Sequence, residues 1–246
     1  MSVKFADLNL DKNILSALTS AGYESPTPIQ AQAIPHALNK RDIMASAQTS
    51  SGKTAAFLLP TLQQLSHRSD KPGKGPRALV LTPTRELAAQ VEKSALTYAA
   101  DMKWLRTVTL VGGSSFGQQL RALARPVDIV VATPGRLLAP LRTGRIVFDR
   151  LDVLILDEAD RMLELGFAQD IEHIAGETRW RKQTMLFSAT LEGNAVKHFA
   201  ERLLQEPVEG SATPATRERK KIHQWYYRAD DFAHKTDLLK HLLNQD

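Results

Sequence analysis

The chain has 246 residues, 43% of them hydrophobic and none of them cysteine, so it can bury one large α/β core. Disulfides, thiolate metal sites and cysteine nucleophiles are excluded, and no apolar run reaches membrane-spanning or signal-peptide form, so a soluble cytoplasmic protein without a membrane partner is expected. The net charge of +5 and isoelectric point near 9.4 suit a polyanionic partner only weakly, because 32 basic residues stand against 27 acidic ones.

Short apolar runs alternate with longer helical patterns along the chain. Strands are predicted at residues 42–46, 77–82, 107–111, 128–132, 151–156 and 184–187. Helices are predicted at 55–65, 85–100, 117–123, 134–142, 170–176 and 194–204. Strand-then-helix repetition of this kind predicts an α/β fold, a doubly wound and mostly parallel sheet with ligands at the carboxyl ends of its strands. Residues 209–221, rich in Gly, Ser, Ala, Thr and Pro before a basic run, read as a linker. A strand at 222–227 and a helix at 234–243 follow, read as the opening unit of a second domain.

The first chemical motif is Ala47-Gln48-Thr49-Ser50-Ser51-Gly52-Lys53-Thr54, between the first strand and the first helix. That setting suits a P-loop, in which backbone N–H groups and a helix N-terminus face the phosphates of a nucleoside triphosphate. Lys53 is expected on the phosphates and the Thr54 hydroxyl on Mg²⁺. About a hundred residues later the strand 151–156 ends in Asp157-Glu158-Ala159-Asp160. Adjacent carboxylates there put Asp157 near the metal and Glu158 near an attacking water. ATP and Mg²⁺ are the expected cofactors.

Carrying these two runs, the chain resembles the DEAD-box ATP-dependent RNA helicases of superfamily 2, whose P-loop domain is RecA-like. Phe5 and the run Gly22-Tyr23-Glu24-Ser25-Pro26-Thr27-Pro28-Ile29-Gln30 resemble the Q motif. The resemblance implies that Gln30 reads adenine while Tyr23, the aromatic after the glycine, packs on the base and Phe5 belongs to the same nucleotide site, and a glutamine amide does match the N6 donor and N7 acceptor of adenine. Pro83-Thr84-Arg85-Glu86-Leu87-Ala88 resembles motif Ia, Gly112-Gly113 the glycine doublet and Thr133-Pro134-Gly135-Arg136 motif Ib. These imply RNA contacts by Thr84, Arg85, Gly112, Gly113, Thr133, Gly135 and Arg136 through the sugar–phosphate backbone. Ser188-Ala189-Thr190 is similar to motif III, implying that Asp160, Ser188 and Thr190 couple the ATP site to RNA. Taken singly, Thr-Pro-Gly-Arg reads as a turn and Ser-Ala-Thr as a helix cap; six elements in family order carry the resemblance.

The stretch from Asp157 to Lys221 is similar to the bacterial SrmB-type group, which implies work on pre-ribosomal particles. Residues 1–208 are then the RecA-like ATP-binding domain, with the Q-motif region at 1–40, and 222–246 begin a second such domain. Two departures stand out. Ser50 replaces the first glycine of Ala-x-Thr-Gly-x-Gly-Lys-Thr and is expected to weaken nucleotide binding. The runs His-Arg-x-Gly-Arg-x-x-Arg and Ala-Arg-Gly-x-Asp of the family's other domain do not occur. An arginine finger is worth about 10³–10⁵ in kcat, roughly 4–7 kcal/mol, so this chain alone, expected to be monomeric, should be nearly inactive. Seven scattered histidines lack metal-ligand spacing, and Asn39-Lys40-Arg41-Asp42 precedes the P-loop and reads as chance.

Overall fold

The computed structural model describes residues 3–47, 51–69, 73–191, 194–212 and 225–244. They fall into two compact units, Met1–Thr213 and Pro214–Asp246. The first unit opens with a 3₁₀ turn at Phe5–Leu8, then α1 (Lys12–Ser20), α2 (Pro28–Leu38), β1 (Ile43–Ala47) and α3 (Lys53–Gln64). It continues through β2 (Ala78–Leu81), α4 (Arg85–Tyr98), β3 (Thr107–Leu110), α5 (Phe116–Leu123), β4 (Ile129–Ala132) and α6 (Pro134–Arg142). Last come β5 (Val153–Leu156), α7 (Ala159–Glu164), α8 (Ala168–Glu177), β6 (Gln183–Ser188), α9 (Asn194–Leu203) and β7 (Val208–Ala212).

All seven strands are parallel, in the order β3-β4-β2-β5-β6-β1-β7. The inner strands are unbroken apolar runs such as Ala78-Leu79-Val80-Leu81 and Val153-Leu154-Ile155-Leu156, every residue of which is buried. That is the pattern a parallel sheet covered on both faces requires. Side chains alternate between the faces. Val80, Ile129, Ile155 and Phe187 join the core beneath α1 to α4, and Leu79, Val130, Leu154 and Leu186 join the core beneath α5 to α9. The predicted doubly wound sheet is thus present.

Three helices (α1, α2 and α7), the 3₁₀ turn and one strand were not among the predicted elements. Pro28 starts α2 at the helix position that needs no N–H donor, and Pro35 is accommodated near its end. The seventh strand corrects the expected linker, because residues 209–212 pair with β1 from Met44↔Glu209 to Ala47↔Ala212. Backbone anchoring explains this better than side-chain propensity. Asp42 accepts from Gln205 N–H at 2.7 Å, the Asp42 carbonyl accepts from Val208 N–H at 2.8 Å, and Arg41 donates to the Glu206 carbonyl at 2.9 Å.

In the second unit, α10 (Phe232–Leu243) matches the predicted helix and is capped by Asp231, whose carboxylate accepts from His234 N–H at 2.8 Å. The predicted strand at 222–227 is described only from Trp225 on, and residues 225–227 are not in a strand. No helix among the described residues is long and apolar enough to cross a membrane.

Candidate nucleotide and RNA site

Sheet order sorts the motifs. Reading across the carboxyl edge, the turns after β3, β4 and β2 carry the glycine doublet, Thr133-Pro134-Gly135-Arg136 and Thr84-Arg85. The turns after β5, β6 and β1 carry Asp157-Glu158, Ser188-Ala189-Thr190 and the P-loop. The two sets, dispersed in sequence, occupy opposite halves of one edge.

On the nucleotide half, Thr49 and Ser50 lie outside the described residues, and Ala47 is the last residue of β1. Gly52 precedes α3 with φ +89°, a left-handed conformation. A Cβ there would run into the Gln30 amide and stand 3.0 Å from Thr27 Oγ1, so glycine is required twice over. Those neighbours brace the loop: Thr27 Oγ1 donates to the Ser51 carbonyl at 2.8 Å and Gln30 Nε2 to the Gly52 carbonyl at 3.0 Å. Gln30 Oε1 also accepts from Thr27 N–H at 2.9 Å. The buried Gln30 amide therefore positions the P-loop, with one N–H and one lone pair left over for a base.

Lys53 opens α3 and is 7% exposed, while Asp157 follows β5 and is 2% exposed. Lys53 Nζ, Asp157 Oδ1 and Ser51 Oγ are buried without a hydrogen-bond partner. Burial pushes the Asp157 carboxyl up to about 6, the Lys53 charge opposing and the Glu158 charge adding to the rise. Leaving such groups unsatisfied is costly in a folded chain. Glu158 itself is a non-glycine residue at φ 53°, ψ 54°, a strained conformation at the start of α7.

Lys53, Asp157 and Glu158 line one cleft of about 450 Å³ with Thr54, Tyr23 and Gln30. Its remaining wall is a stripe of α4, Gln90, Ser94 and Tyr98, which sequence reasoning missed. Their four-residue spacing puts them on one helical face and was the available signal. Tyr98 is buried, which raises its hydroxyl pKa, and meets Tyr23 edge-on at 5.8 Å between ring centres. Phe5, expected in this cleft, is instead buried in the core and lines an adjoining cavity that shares Tyr23 and Ser25.

The donor set fits a phosphate–metal group: a buried ammonium, a helix N-terminus, the Thr54 hydroxyl and an unpartnered carboxylate converge on one cleft. No cluster of three or more His, Asp or Glu able to hold a metal alone occurs among the described residues.

On the other half, the Thr84 hydroxyl caps α4 by accepting from Leu87 N–H at 3.2 Å. The Arg85 guanidinium lies against Gly113, whose φ is +76° and whose missing Cβ would stand 2.7 Å from Arg85 Nη1. Gly112 has open space around it. Thr133 precedes α6, with Pro134 at its first turn and Gly135 exposed. Arg136 donates to the Ser114 carbonyl at 2.9 Å and to Gln119 Oε1 at 3.2 Å, and its guanidinium stacks 4.5 Å over the Phe116 ring. Two arginines thus bind the three segments into one surface.

Within the nucleotide half, Asp160 Oδ2 accepts from Ala189 N–H at 3.1 Å, Thr190 N–H at 3.2 Å and Thr190 Oγ1 at 3.4 Å. Ser188 Oγ donates to the Thr190 carbonyl at 2.8 Å. The three expected coupling residues form one network.

Residues 27–199 match the family model described as DEAD/DEAH box helicase. The chain is 58% identical to the ATP-dependent RNA helicase SrmB of Escherichia coli (strain K12) over 98% of its own length and 54% of that protein. It is 47% identical to the ATP-dependent RNA helicase DeaD of the same organism, over 91% of this chain and 35% of that one. The crystal structure of a DEAD box protein from the hyperthermophile Methanococcus jannaschii superposes with a TM-score of 0.78 at 35% identity, covering 98% of this chain and 64% of that one. The chain spans about half the length of the curated relatives it matches. With motif order, sheet order and matched residues in agreement, this chain belongs to the DEAD/DEAH box helicase family.

Proposed function

We propose that this chain is the nucleotide- and RNA-binding RecA-like body of an SrmB-like ATP-dependent RNA helicase, acting on RNA such as that of pre-ribosomal particles. The carrying observation is the pair of buried, unpartnered opposite charges, Lys53 Nζ and Asp157 Oδ1, in one cleft at the end of the sheet. Lys53 and the α3 N-terminus would hold the phosphates, and Thr54 and Asp157 would hold Mg²⁺, which supplies charge neutralisation at the phosphates. Glu158, fixed by its strained backbone, would orient or deprotonate the attacking water. Gln30 would select adenine with its remaining N–H and lone pair while holding the P-loop, and Tyr23 would cover the base.

The surface built by Thr84, Arg85, Gly112, Gly113, Thr133, Gly135 and Arg136 would grip the RNA backbone. Exposed helix N-termini and arginines are suited to phosphate contacts without base readout. Unwinding would then be local and sequence-independent. The Asp160–Ser188–Thr190 network would carry occupancy of one half to the other.

Displacement of a fluorescent ADP analogue by ATP and by GTP tests the nucleotide assignment, on the native chain and on Gln30→Ala. ATP should displace at least about tenfold better than GTP on the native chain, and the variant should lose most of that preference. Equal displacement by GTP on the native chain would overturn the adenine assignment.

A further inference from the structure

The chain's excess positive charge is concentrated away from the nucleotide cleft. Residues 112–150 hold six arginines against two carboxylates, Asp128 and Asp149. Asp128 is occupied, accepting from Arg106 N–H at 3.0 Å and facing Arg77 at 4.0 Å. Arg136 belongs to the RNA-side surface, and buried Arg150 donates to the Gly75 carbonyl at 2.9 and 2.7 Å and to the Val127 carbonyl at 3.2 Å. That leaves Arg121, Arg125, Arg142 and Arg145, all exposed and, with exposed Lys74, in no ion pair among the described residues.

Two of these cations, Lys74 and Arg145, line a cavity of about 320 Å³, and Arg121 and Arg125 directly follow two of its lining residues, Leu120 and Ala124, in the chain. Its walls are apolar (Pro76, Leu120, Leu123, Val127, Ile146 and the half-exposed Val147), and Lys74 and Arg145 line it as well. The cavity is a built feature. Arg150 pins the Gly75 and Val127 carbonyls on two of its sides, and a Cβ at Gly75 would collide with the Val147 carbonyl and stand 2.7 Å from Asp149 Oδ1. It is formed by the residues that lead into β2 and β4 and by the far ends of α5 and α6. It therefore lies at the opposite end of the sheet from the P-loop, yet on the two helices whose other ends carry the RNA-side motifs.

We infer that this cavity docks an acidic segment of a partner protein, with one aliphatic or aromatic side chain inserted among Leu120, Leu123, Ile146 and Val147 and flanking carboxylates facing Lys74 and Arg145. Unpaired Lys74 and Arg145 beside an apolar hole complement that chemistry on both counts and outnumber the one exposed carboxylate next to its Gly75 wall, Asp149. Single-stranded nucleic acid is the poorer match, since it seeks aromatic faces for its bases and no aromatic side chain lines this cavity.

Fluorescence anisotropy with short labelled peptides tests this. Each peptide is acidic throughout except for a central Leu, Phe, Ser or Lys, and a short oligouridylate is titrated in parallel. The Leu and Phe peptides should bind at least about tenfold more tightly than the Ser and Lys peptides. Lys74→Glu combined with Arg145→Glu, and separately Val147→Asp, should each weaken the Leu peptide about tenfold. All these positions are exposed, and unchanged melting curves and ADP binding would show that the variants fold. Equal binding of the Leu and Ser peptides would reduce the site to diffuse charge attraction and overturn the inference. So would absence of peptide binding, and so would loss of oligouridylate binding in the double variant without any peptide preference.

Discussion

Asp157 is a carboxyl that the fold holds at a disadvantage. It titrates at about 6 against an ordinary 3.8, chiefly because it is buried. Between those pH values the unfolded chain has released the proton and the folded chain still keeps it. Stability should therefore fall as pH rises from about 4 to about 6, by at most about 3 kcal/mol, and be flat above. Asp157→Asn should remove that fall, raising stability at pH 7 by about 1–3 kcal/mol while weakening Mg²⁺-dependent nucleotide binding. Thermal melts across pH check the first part and titration with ADP the second; a variant melting no higher than the native chain at pH 7 would refute the burial argument. Gly52→Ala should lose about 1–2 kcal/mol from its left-handed backbone alone, with displacement of Gln30 added. Most of the site was legible at this scale, because P-loop and Asp-Glu chemistry needs particular residue types at strand ends. Gln30 bracing Gly52 was not, since a glutamine amide serves a base and a backbone equally well. Phe5 lines the adjoining cavity and not the cleft itself, since an aromatic at a turn packs in a core as readily as on a ligand. Ser50 stays a sequence-based expectation: Ser50→Gly should tighten ADP binding.

Asp160, in the first turn of α7, accepts from the chain just beyond β6 and so ties two turns on neighbouring strands together. Asp160→Ala should raise hydrogen exchange at Ala189 and Thr190 and leave ADP affinity within about twofold, because neither amide lines the cleft. Unchanged protection there would dissociate Asp160 from the coupling role. Gly113→Ala, with φ +76° and Arg85 in the way, should weaken oligouridylate binding while sparing ADP. Six strands were foreseen to within two residues at either end, since buried parallel strands read as continuous apolar runs. The seventh was not: Val-Glu-Gly-Ser-Ala has little side-chain preference for a strand, and its pairing comes from anchors at Arg41 and Asp42. Helices α1 and α2 were passed over as well. The first is short and the second contains two prolines, and tertiary packing stabilises both more than propensity does.

At the scale of the molecule, strand order turns a dispersed set of motifs into two adjoining surfaces. No sequence pattern fixes that β6 lies between β5 and β1, although alternating strand–helix runs do predict a parallel sheet with its ligands at one edge. Calorimetric titration of Mg²⁺ and ADP into the native chain and into Lys53→Ala addresses the central claim most directly. Saturable binding by the native chain, weakened about 10–100-fold in the variant, is the predicted result. Equal affinity in the two, or no heat of binding in a native chain that still melts cooperatively, would contradict it.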